Sequence, residues 1–287
     1  MNALLEGIGD WIKEMLINSI MGNFLGMFED VNIRIGEVAA NVGATPMSWN
    51  MGVFNLVRTL SEVVIIPVAG MILTFVLCYE LISAIIERNN MAHFDHSQIF
   101  KWIFKTFVAT YLLTHTFDIV MFIFGLAQHV VNASAGVIIG DLSVDFAMTN
   151  LATQLELLGP GALMSLLMES LLLRFIMKAV SVAIFCIIYG RMIEIYLAIS
   201  IAPIPLATMA NREWGGIGNN YLKSLFALAF QAFLLMVCLA IYAALLQSVT
   251  LPSNLHAAIW SYAGYTILIC FTMMKCGSLS KSLFSAH

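Results

Sequence analysis

Four polar side chains recur at helical spacing within a largely apolar stretch of the chain. They are Thr106, Thr110, Thr114 and Asp118. Because residues four apart lie on one helix face, the four form a stripe that must face protein or water if the helix lies in a membrane. An ionisable side chain at membrane depth costs at least about 2.5–3.5 kcal/mol. The stripe therefore either lines a hydrated path or joins helices through a protonated or hydrogen-bonded Asp118.

A second polar pair, Arg191 and Glu194, lies in another apolar stretch. Residues three apart share a helix face, so the two charges could neutralise each other. Pairing is the usual condition for charged side chains at membrane depth. We therefore predict an intramembrane ion pair.

The sequence holds no recognisable motif for catalysis. No glycine is followed by lysine, which excludes a Walker A phosphate loop, and neither a His-Glu-x-x-His zinc pair nor a Gly-x-Ser-x-Gly elbow occurs. His93, Asp95 and His96 could hold a metal, but a polar connection between helices contains such residues by chance. We predict no enzyme activity, no metal and no cofactor, so any transport would draw its energy from a partner or a gradient.

The composition indicates which environment must hold these polar residues. Of the 287 residues, 61% are hydrophobic and 10% are charged, and the mean hydropathy is +0.92. Soluble domains carry about 25% charged residues. The net charge of −4 argues against free nucleic acid as a surface ligand, since such surfaces are usually basic. We predict an all-α polytopic membrane protein.

Long apolar windows predict about five transmembrane helices. A span needs about 20 apolar residues, and the windows lie at about 62–86, 104–128, 164–210, 224–248 and 257–276. The window at 164–210 is either one long helix with a bent end or two short helices, partly re-entrant. The last two windows form a helical hairpin over 224–276.

The remaining segments take their sides of the membrane from the basic residues. Basic residues in or next to 87–103, 211–223 and 277–287 place these segments in the cytosol under the positive-inside rule. These residues are Arg88, Lys101, Lys105, Arg212, Lys223, Lys275 and Lys281. The N-terminal region 1–61 and the loop 129–163 are then extracytoplasmic, with the N-terminus outside and the C-terminus inside. Six spans are the alternative, which would separate the basic loops onto opposite sides.

The N-terminal region 1–61 carries apolar residues at helical spacing up to Leu16, with charged residues between them. This pattern predicts an amphipathic helix that lies on a bilayer or packs on other helices. Several glycines and Thr45-Pro46 follow, which predict that the rest of the region breaks into short pieces, with a second short helix around 54–60.

Several short motifs resemble those of one family of membrane proteins. The segment from Ile199 to Met209, then Trp214, then the segment from Gly218 to Lys223, resembles the signature of TrbL-like membrane subunits of type IV secretion, or conjugation, machines. Further segments resemble the shorter branch of the family on mobile elements of Gram-positive bacteria. These are Met21-Gly22-Asn23, Gly26-Met27-Phe28, Thr45-Pro46, Trp49-Asn50, Phe100-Lys101-Trp102 and Phe104-Lys105.

The resemblance implies a protein of the cytoplasmic membrane with an outward N-terminus, about five spans and a central extracytoplasmic loop. It implies a contribution to the translocation path for single-stranded DNA with its attached relaxase. The implied partners are a large assembly ATPase, bitopic scaffold subunits and further copies of the chain. The family offers no established catalytic residues, and this chain lacks the long soluble C-terminal extension of some relatives.

The segment around Pro203 and Pro205 has a physical interpretation of its own. Two prolines remove two amide donors and end a helix. Trp214 would then lie at headgroup level as an aromatic anchor. This elbow, with Lys223 after it, either docks the cytoplasmic ATPase or is an ordinary helix end with an interface tryptophan.

Three functions remain open at this point. The first is a channel or scaffold subunit of a conjugative secretion complex, and the second is a stand-alone secondary transporter. Transporters often repeat their broken helices in both halves, whereas the only strongly broken segment in this sequence is at 199–216. The third is a structural assembly factor that never contacts the substrate.

Overall fold

The computed structural model describes residues 2–86, 96–138, 148–247 and 255–286, and every regular element in these ranges is helical. The helices in chain order are α1 (Asn2–Val42), α2 (Pro46–Trp49), α3 (Met51–Leu60), a π-helical turn (Ser61–Ile65), α4 (Ile66–Ile86), α5 (His96–Thr114), α6 (Thr116–Ile138), α7 (Met148–Glu156), α8 (Pro160–Ile201), α9 (Pro203–Thr208), α10 (Gly215–Gln247) and α11 (Leu255–Leu283).

Four helical stretches in the described ranges are long and apolar enough to cross a membrane. They are Met51–Ser83, Thr116–Ser134, Pro160–Ile201 and Gly215–Leu245. The prediction of an all-α polytopic membrane protein is therefore confirmed. The span predicted at 257–276 falls within α11, and its crossing of the membrane stays a prediction.

The chain divides into two compact units. The first comprises Met1–Asn41, Ala135–Ile188 and Leu235–Lys275, and the second comprises Val42–Ser134, Tyr189–Leu234 and Cys276–His287. The proline segment and the threonine stripe both belong to the second unit.

The N-terminal region is one long helix up to Val42, so the prediction that it breaks into short pieces after Gly22 is wrong. A buried apolar stripe runs along α1 through its glycines, at Leu16, Ile20, Phe24, Met27, Val31, Ile35 and Val38. Burial of this stripe outweighs the roughly 1 kcal/mol that each glycine costs a helix. The break comes at 43–45 instead.

In the first unit α1 runs parallel to α8. The Asn23 side-chain amide donates to the Ser170 hydroxyl at 3.0 Å, and Arg34 Nε donates to the Ser181 hydroxyl at 3.2 Å. Both pairs join residues 147 positions apart, as expected for two helices that run parallel. Arg174 donates to Asn23 Oδ1 at 3.0 Å, and a Cβ at Gly26 would lie 3.1 Å from its Nη2.

A one-residue turn at His115 separates α5 from α6, where a single helix over 104–128 was predicted. Three consecutive side chains bond to carbonyls of the preceding turn there. The Thr114 hydroxyl donates to the carbonyls of Thr110 and Tyr111, and the Thr116 hydroxyl donates to that of Leu113. His115 Nδ1 lies 3.1 Å from the Tyr111 carbonyl. Such back-bonding commonly bends helices.

Several predicted connections fall partly outside the described residues. These include most of the loop at 87–103 with His93 and Asp95, residues 139–147 of the loop at 129–163, and the turn of the last hairpin at 248–254. The side chain of His96 is also outside them. The loop predicted at 211–223 is shorter than expected, because α10 already begins at Gly215 and contains Lys223.

Candidate functional site

The segment 202–214, which we name the proline elbow, begins where α8 loses its backbone donors. Pro203 and Pro205 have no amide hydrogen, so the helix ends at Ile201. The amide of Ala202 bonds to the Ile199 carbonyl at 3.2 Å, one residue short of the α-helical pattern. The Ala198 carbonyl is thereby released, and it accepts a hydrogen bond from the Tyr221 hydroxyl of α10 at 2.9 Å.

The elbow packs against α4 and α5 through small side chains. Ala207 and Ala210 are buried in one apolar cluster with Leu73 and Val76 of α4 and with Ala109 of α5. The buried Thr208 donates its hydroxyl to the Pro205 carbonyl at 2.7 Å. The broken backbone is therefore covered by protein, the condition under which irregular backbone is tolerated at membrane depth.

Gly218, in the first turn of α10, allows that helix to lie directly on the elbow. A Cβ at this position would lie 2.5 Å from the Pro205 carbonyl oxygen and 2.1 Å from Met209 Cγ. The carbonyl belongs to the backbone and cannot move aside cheaply. Only glycine fits here without a shift of the elbow.

Trp214, which the sequence identified as an interface anchor, stacks on two rings of α4. Its ring lies 5.8 Å from that of Phe75 and 6.0 Å from that of Tyr79, with interplanar angles of 17° and 6°. The Tyr79 hydroxyl also donates to Glu213 Oε2 at 3.2 Å. Trp214 therefore fastens the end of the elbow to α4, while 37% of it stays exposed.

The other predicted members of the elbow divide into buried and exposed groups. Pro203 is buried and Pro205 is half-buried, whereas Lys223 is exposed on α10.

A contact that the sequence reasoning missed joins the elbow to α4 and α5. Glu80 of α4 accepts from Lys105 Nζ at 2.5 Å and from the backbone amide of Arg212 at 3.4 Å.

The predicted threonine stripe follows α5 into α6. Thr106 is half-buried and donates its hydroxyl to the Trp102 carbonyl at 2.9 Å. Thr110, Thr114 and Asp118 are exposed, and we name these three residues the polar face.

Arg58 of α3 and Glu62 of the π-helical turn form a charged pair that the sequence reasoning missed, and Arg58 packs on α6 next to the polar face. Arg58 Nε donates to Glu62 Oε1 at 2.7 Å. The Arg58 guanidinium lies 5.9 Å from the centre of the Phe117 ring, and Asp118 is the next residue in the chain. The available signal was the spacing of Arg58 and Glu62, four apart at the start of the first apolar window.

The π-helical turn Ser61–Ile65 lies next to these charges. The amide of Ile66 bonds to the Ser61 carbonyl, five residues back, and Pro67 directly after it has no amide hydrogen to restore the normal pattern. The Ser61 hydroxyl is buried without a hydrogen-bond partner among the described residues. Single π-helical turns are frequent at functional sites.

Arg191 and Glu194 form no hydrogen bond or salt bridge with each other in the structure, although the charge of Glu194 acts on the Arg191 guanidinium. Arg191 is 5% exposed and donates to the carbonyls of Val42 and Leu228, each at 3.4 Å. Glu194 instead lies 2.8 Å from Lys281 Nζ of α11. The Val42 carbonyl belongs to the last turn of α1, where unpaired carbonyls and the helix dipole favour a cation.

The turn between α1 and α3 is fixed to α8 beside Arg191. The Tyr196 hydroxyl donates to the Pro46 carbonyl at 2.7 Å and to the Asn50 carbonyl at 3.2 Å. The ring of Trp49 packs against those of Tyr189 and Tyr196, at 5.4 Å and 5.9 Å. The Thr45-Pro46 and Trp49-Asn50 motifs thus form a joint on α8.

A family model described as TrbL/VirB6 plasmid conjugal transfer like protein matches residues 31–203, more than half of the chain. The match includes the joint at 42–50, the polar face and the start of the proline elbow. No curated protein and no solved structure shows significant similarity to the chain.

Proposed function

The chain belongs to the TrbL/VirB6 plasmid conjugal transfer-like family, and from this premise we propose that it helps to form the path for single-stranded DNA with its relaxase across a membrane. Members of this family are type IV secretion subunits, which makes the other subunits of such a machine its partners. The proposed contact with DNA and relaxase goes beyond what family membership alone implies. Membership also favours a secretion subunit over a stand-alone transporter.

The observation that carries the proposal is the exposure of the polar face. Thr110, Thr114 and Asp118 are exposed on the single chain, although α5 and α6 lie in a predicted membrane segment. Exposure of Asp118 to lipid would be costly. We infer that water or a neighbouring subunit covers this face in the assembled machine.

The depth of Asp118 supports this interpretation. Lys105 pairs with Glu80 at the end of α4 that carries the Trp214 stack, which marks a headgroup level. From this level α5 reaches Asp118 across the turn at His115, and Asp118 lies in the first turn of the candidate span Thr116–Ser134. We propose that the carboxylate lies within this span, with the N-terminus outside and the C-terminus in the cytosol of the host cell.

We expect Asp118→Leu to block conjugative transfer while the secretion complex still assembles, because the substitution makes the path apolar without removing packing from the buried core. Transfer is measured by mating frequency, and assembly by native gel of the solubilised complex. Asp118→Asn, which keeps hydrogen-bonding capacity, is the control and should retain most of the transfer. Equal loss of transfer and assembly in Asp118→Leu would contradict a role in the path.

An assembly factor without substrate contact is the second candidate, and one observation favours it. Arg58 packs on the ring of Phe117, the residue directly before Asp118, so a cationic partner for this part of α6 lies within the chain itself. In that case the polar face joins the chain to a scaffold subunit or to another copy of itself. Asp118→Leu and Arg58→Leu would then both prevent assembly.

The proline elbow supports a narrower proposal about the partner ATPase. Pro203 and Trp214 are engaged with the chain itself, whereas Lys223 and the neighbouring Ile217 are exposed. We propose that these exposed residues, rather than the prolines, contact the assembly ATPase on the cytosolic side. Neither this contact nor the translocation path requires enzyme activity or a cofactor in the chain.

A further inference from the structure

An apolar groove of about 310 Å³ lies between α5 and the proline elbow. Its walls are formed almost entirely by carbon atoms, and Lys105 is the one charged residue in its lining. The lining residues are Phe104, Lys105, Val108, Ala109, Leu112, Met209 and Ala210. Phe104 and Val108 are exposed, so the groove opens sideways from the helix surface.

The direction of the groove follows α5. Lys105 and Leu112 are seven residues apart, which gives about 10 Å of helix along the groove. The Lys105 end lies beside Glu80, which contacts the backbone amide of Arg212. The Trp214 ring stacks on Tyr79, one residue before Glu80, so an aromatic pair of the kind found at headgroup level lies at the same end.

Two further cationic residues lie close in the chain to the groove residues at this end. Lys105 forms a salt bridge with Glu80. Lys101 lies one turn earlier on the same face of α5 and is exposed. Arg212 follows the groove residue Ala210 by two positions and is exposed as well. Among the described residues, no salt bridge neutralises Lys101 or Arg212. The groove therefore combines an apolar lining with two exposed basic residues near one end, Lys101 and Arg212, beside the carboxylates of Glu80 and Glu213.

We propose that this groove binds one anionic phospholipid of the surrounding bilayer. One acyl chain lies along Val108 and Leu112, against Met209 of the elbow, and the phosphate lies at the mouth near Lys101 and Arg212. The sideways opening admits a lipid directly from the bilayer. The charge at the mouth distinguishes an anionic headgroup from a neutral one, since each basic residue near a membrane surface attracts anionic lipid. The bound lipid would fasten the elbow to α5.

The test uses the full-length protein, purified in detergent and incubated with equimolar phosphatidylglycerol and phosphatidylcholine of identical acyl chains. Native mass spectrometry then counts the lipids that each variant retains. We expect the unmodified chain to retain phosphatidylglycerol preferentially. Lys101→Gln should reduce that preference about fivefold, and Val108→Trp, which fills the groove, should abolish retention of both lipids.

Lys178→Gln is the matched control, because it removes one exposed lysine that does not line the groove. It should keep the preference of the unmodified chain. Equal retention of the two lipids by the unmodified chain would overturn the proposal. Unchanged phosphatidylglycerol retention in Lys101→Gln would also overturn it. Because the structure describes no contact of the Lys101 side chain, we expect this variant to fold normally.

Discussion

The Tyr221 hydroxyl of α10 donates a hydrogen bond to the Ala198 carbonyl of α8 over 2.9 Å, and this bond replaces one that the helix loses. In a regular helix the Ala202 amide would bond to Ala198, but here it bonds to the Ile199 carbonyl. Pro203 and Pro205 create this defect, and a residue some 20 positions later repairs it. The elbow and the start of α10 therefore act as one structural unit.

Removal of this bond should destabilise the protein. Tyr221→Phe leaves the half-buried Ala198 carbonyl without its side-chain partner, and we expect a loss of about 0.5–1.5 kcal/mol in the free energy of unfolding, the usual net contribution of one hydrogen bond. Denaturant unfolding in detergent, followed by tryptophan fluorescence, measures it. Tyr265→Phe serves as the control, since the structure describes no hydrogen bond of that hydroxyl. Equal stability of the two variants would show that the Ala198 carbonyl needs no side-chain partner.

Gly218→Ala should force the elbow away from α10. The added Cβ would lie 2.5 Å from the Pro205 carbonyl oxygen, and overpacking of this kind costs about 1–3 kcal/mol. Gly216→Ala is the matched control, because nothing lies within 4 Å of its Cβ position. Thermal melting of the two purified variants tests the difference. If Gly218→Ala melts at the temperature of Gly216→Ala, the elbow does not lie as close to α10 as described.

Because Arg191 and Glu194 contact different partners, we expect their substitutions to change the free energy of unfolding by different amounts. Glu194→Gln removes only a half-exposed contact with Lys281, so its cost should stay below about 1 kcal/mol. Arg191→Leu removes the donors of the Val42 and Leu228 carbonyls and should cost about 1–3 kcal/mol.

Unfolding of both variants under one set of conditions separates the two interpretations. A loss of several kcal/mol in Glu194→Gln would mean that the buried Arg191 depends on this carboxylate. The originally predicted intramembrane pair would then be correct.

Trp214 and Lys223 should differ in what they affect. Trp214→Ala removes the stack on Phe75 and Tyr79 and should lower the melting temperature, while Trp214→Phe keeps a ring and should lower it less. Lys223→Glu should leave melting unchanged but reduce co-purification of the assembly ATPase. Normal ATPase recovery with Lys223→Glu would contradict the proposal that Lys223 contacts the ATPase.

The sequence predicted the features that depend on local chemistry. The helix end at Pro203 and Pro205 follows from missing amide donors, and the membrane helices follow from long apolar windows. The continuity of α1 was not predictable in this way, because contacts such as Asn23 with Ser170 join residues far apart in sequence. The same is true of Arg191, whose local partner Glu194 was predicted while the structure supplies distant carbonyls.

The candidate site was predicted in part for a similar reason. Spacing alone placed Thr110, Thr114 and Asp118 on one face, and the structure shows them exposed. Spacing could not show that Arg58 lies beside Asp118, since that proximity requires α3 to pack on α6 through Phe54 and Phe117. Nor did it show the turn at His115, where consecutive side chains bond back to the preceding carbonyls.

Contact between the polar face and the transferred DNA is measured by site-specific crosslinking during mating. A photoreactive residue at Thr114 is compared with one at Met71, which is 67% exposed on α4 and remote from the polar face in sequence. We predict a DNA adduct at Thr114, dependent on active transfer, and none at Met71. Transfer at a normal frequency without any adduct at Thr114 above that at Met71 would contradict the proposed contact.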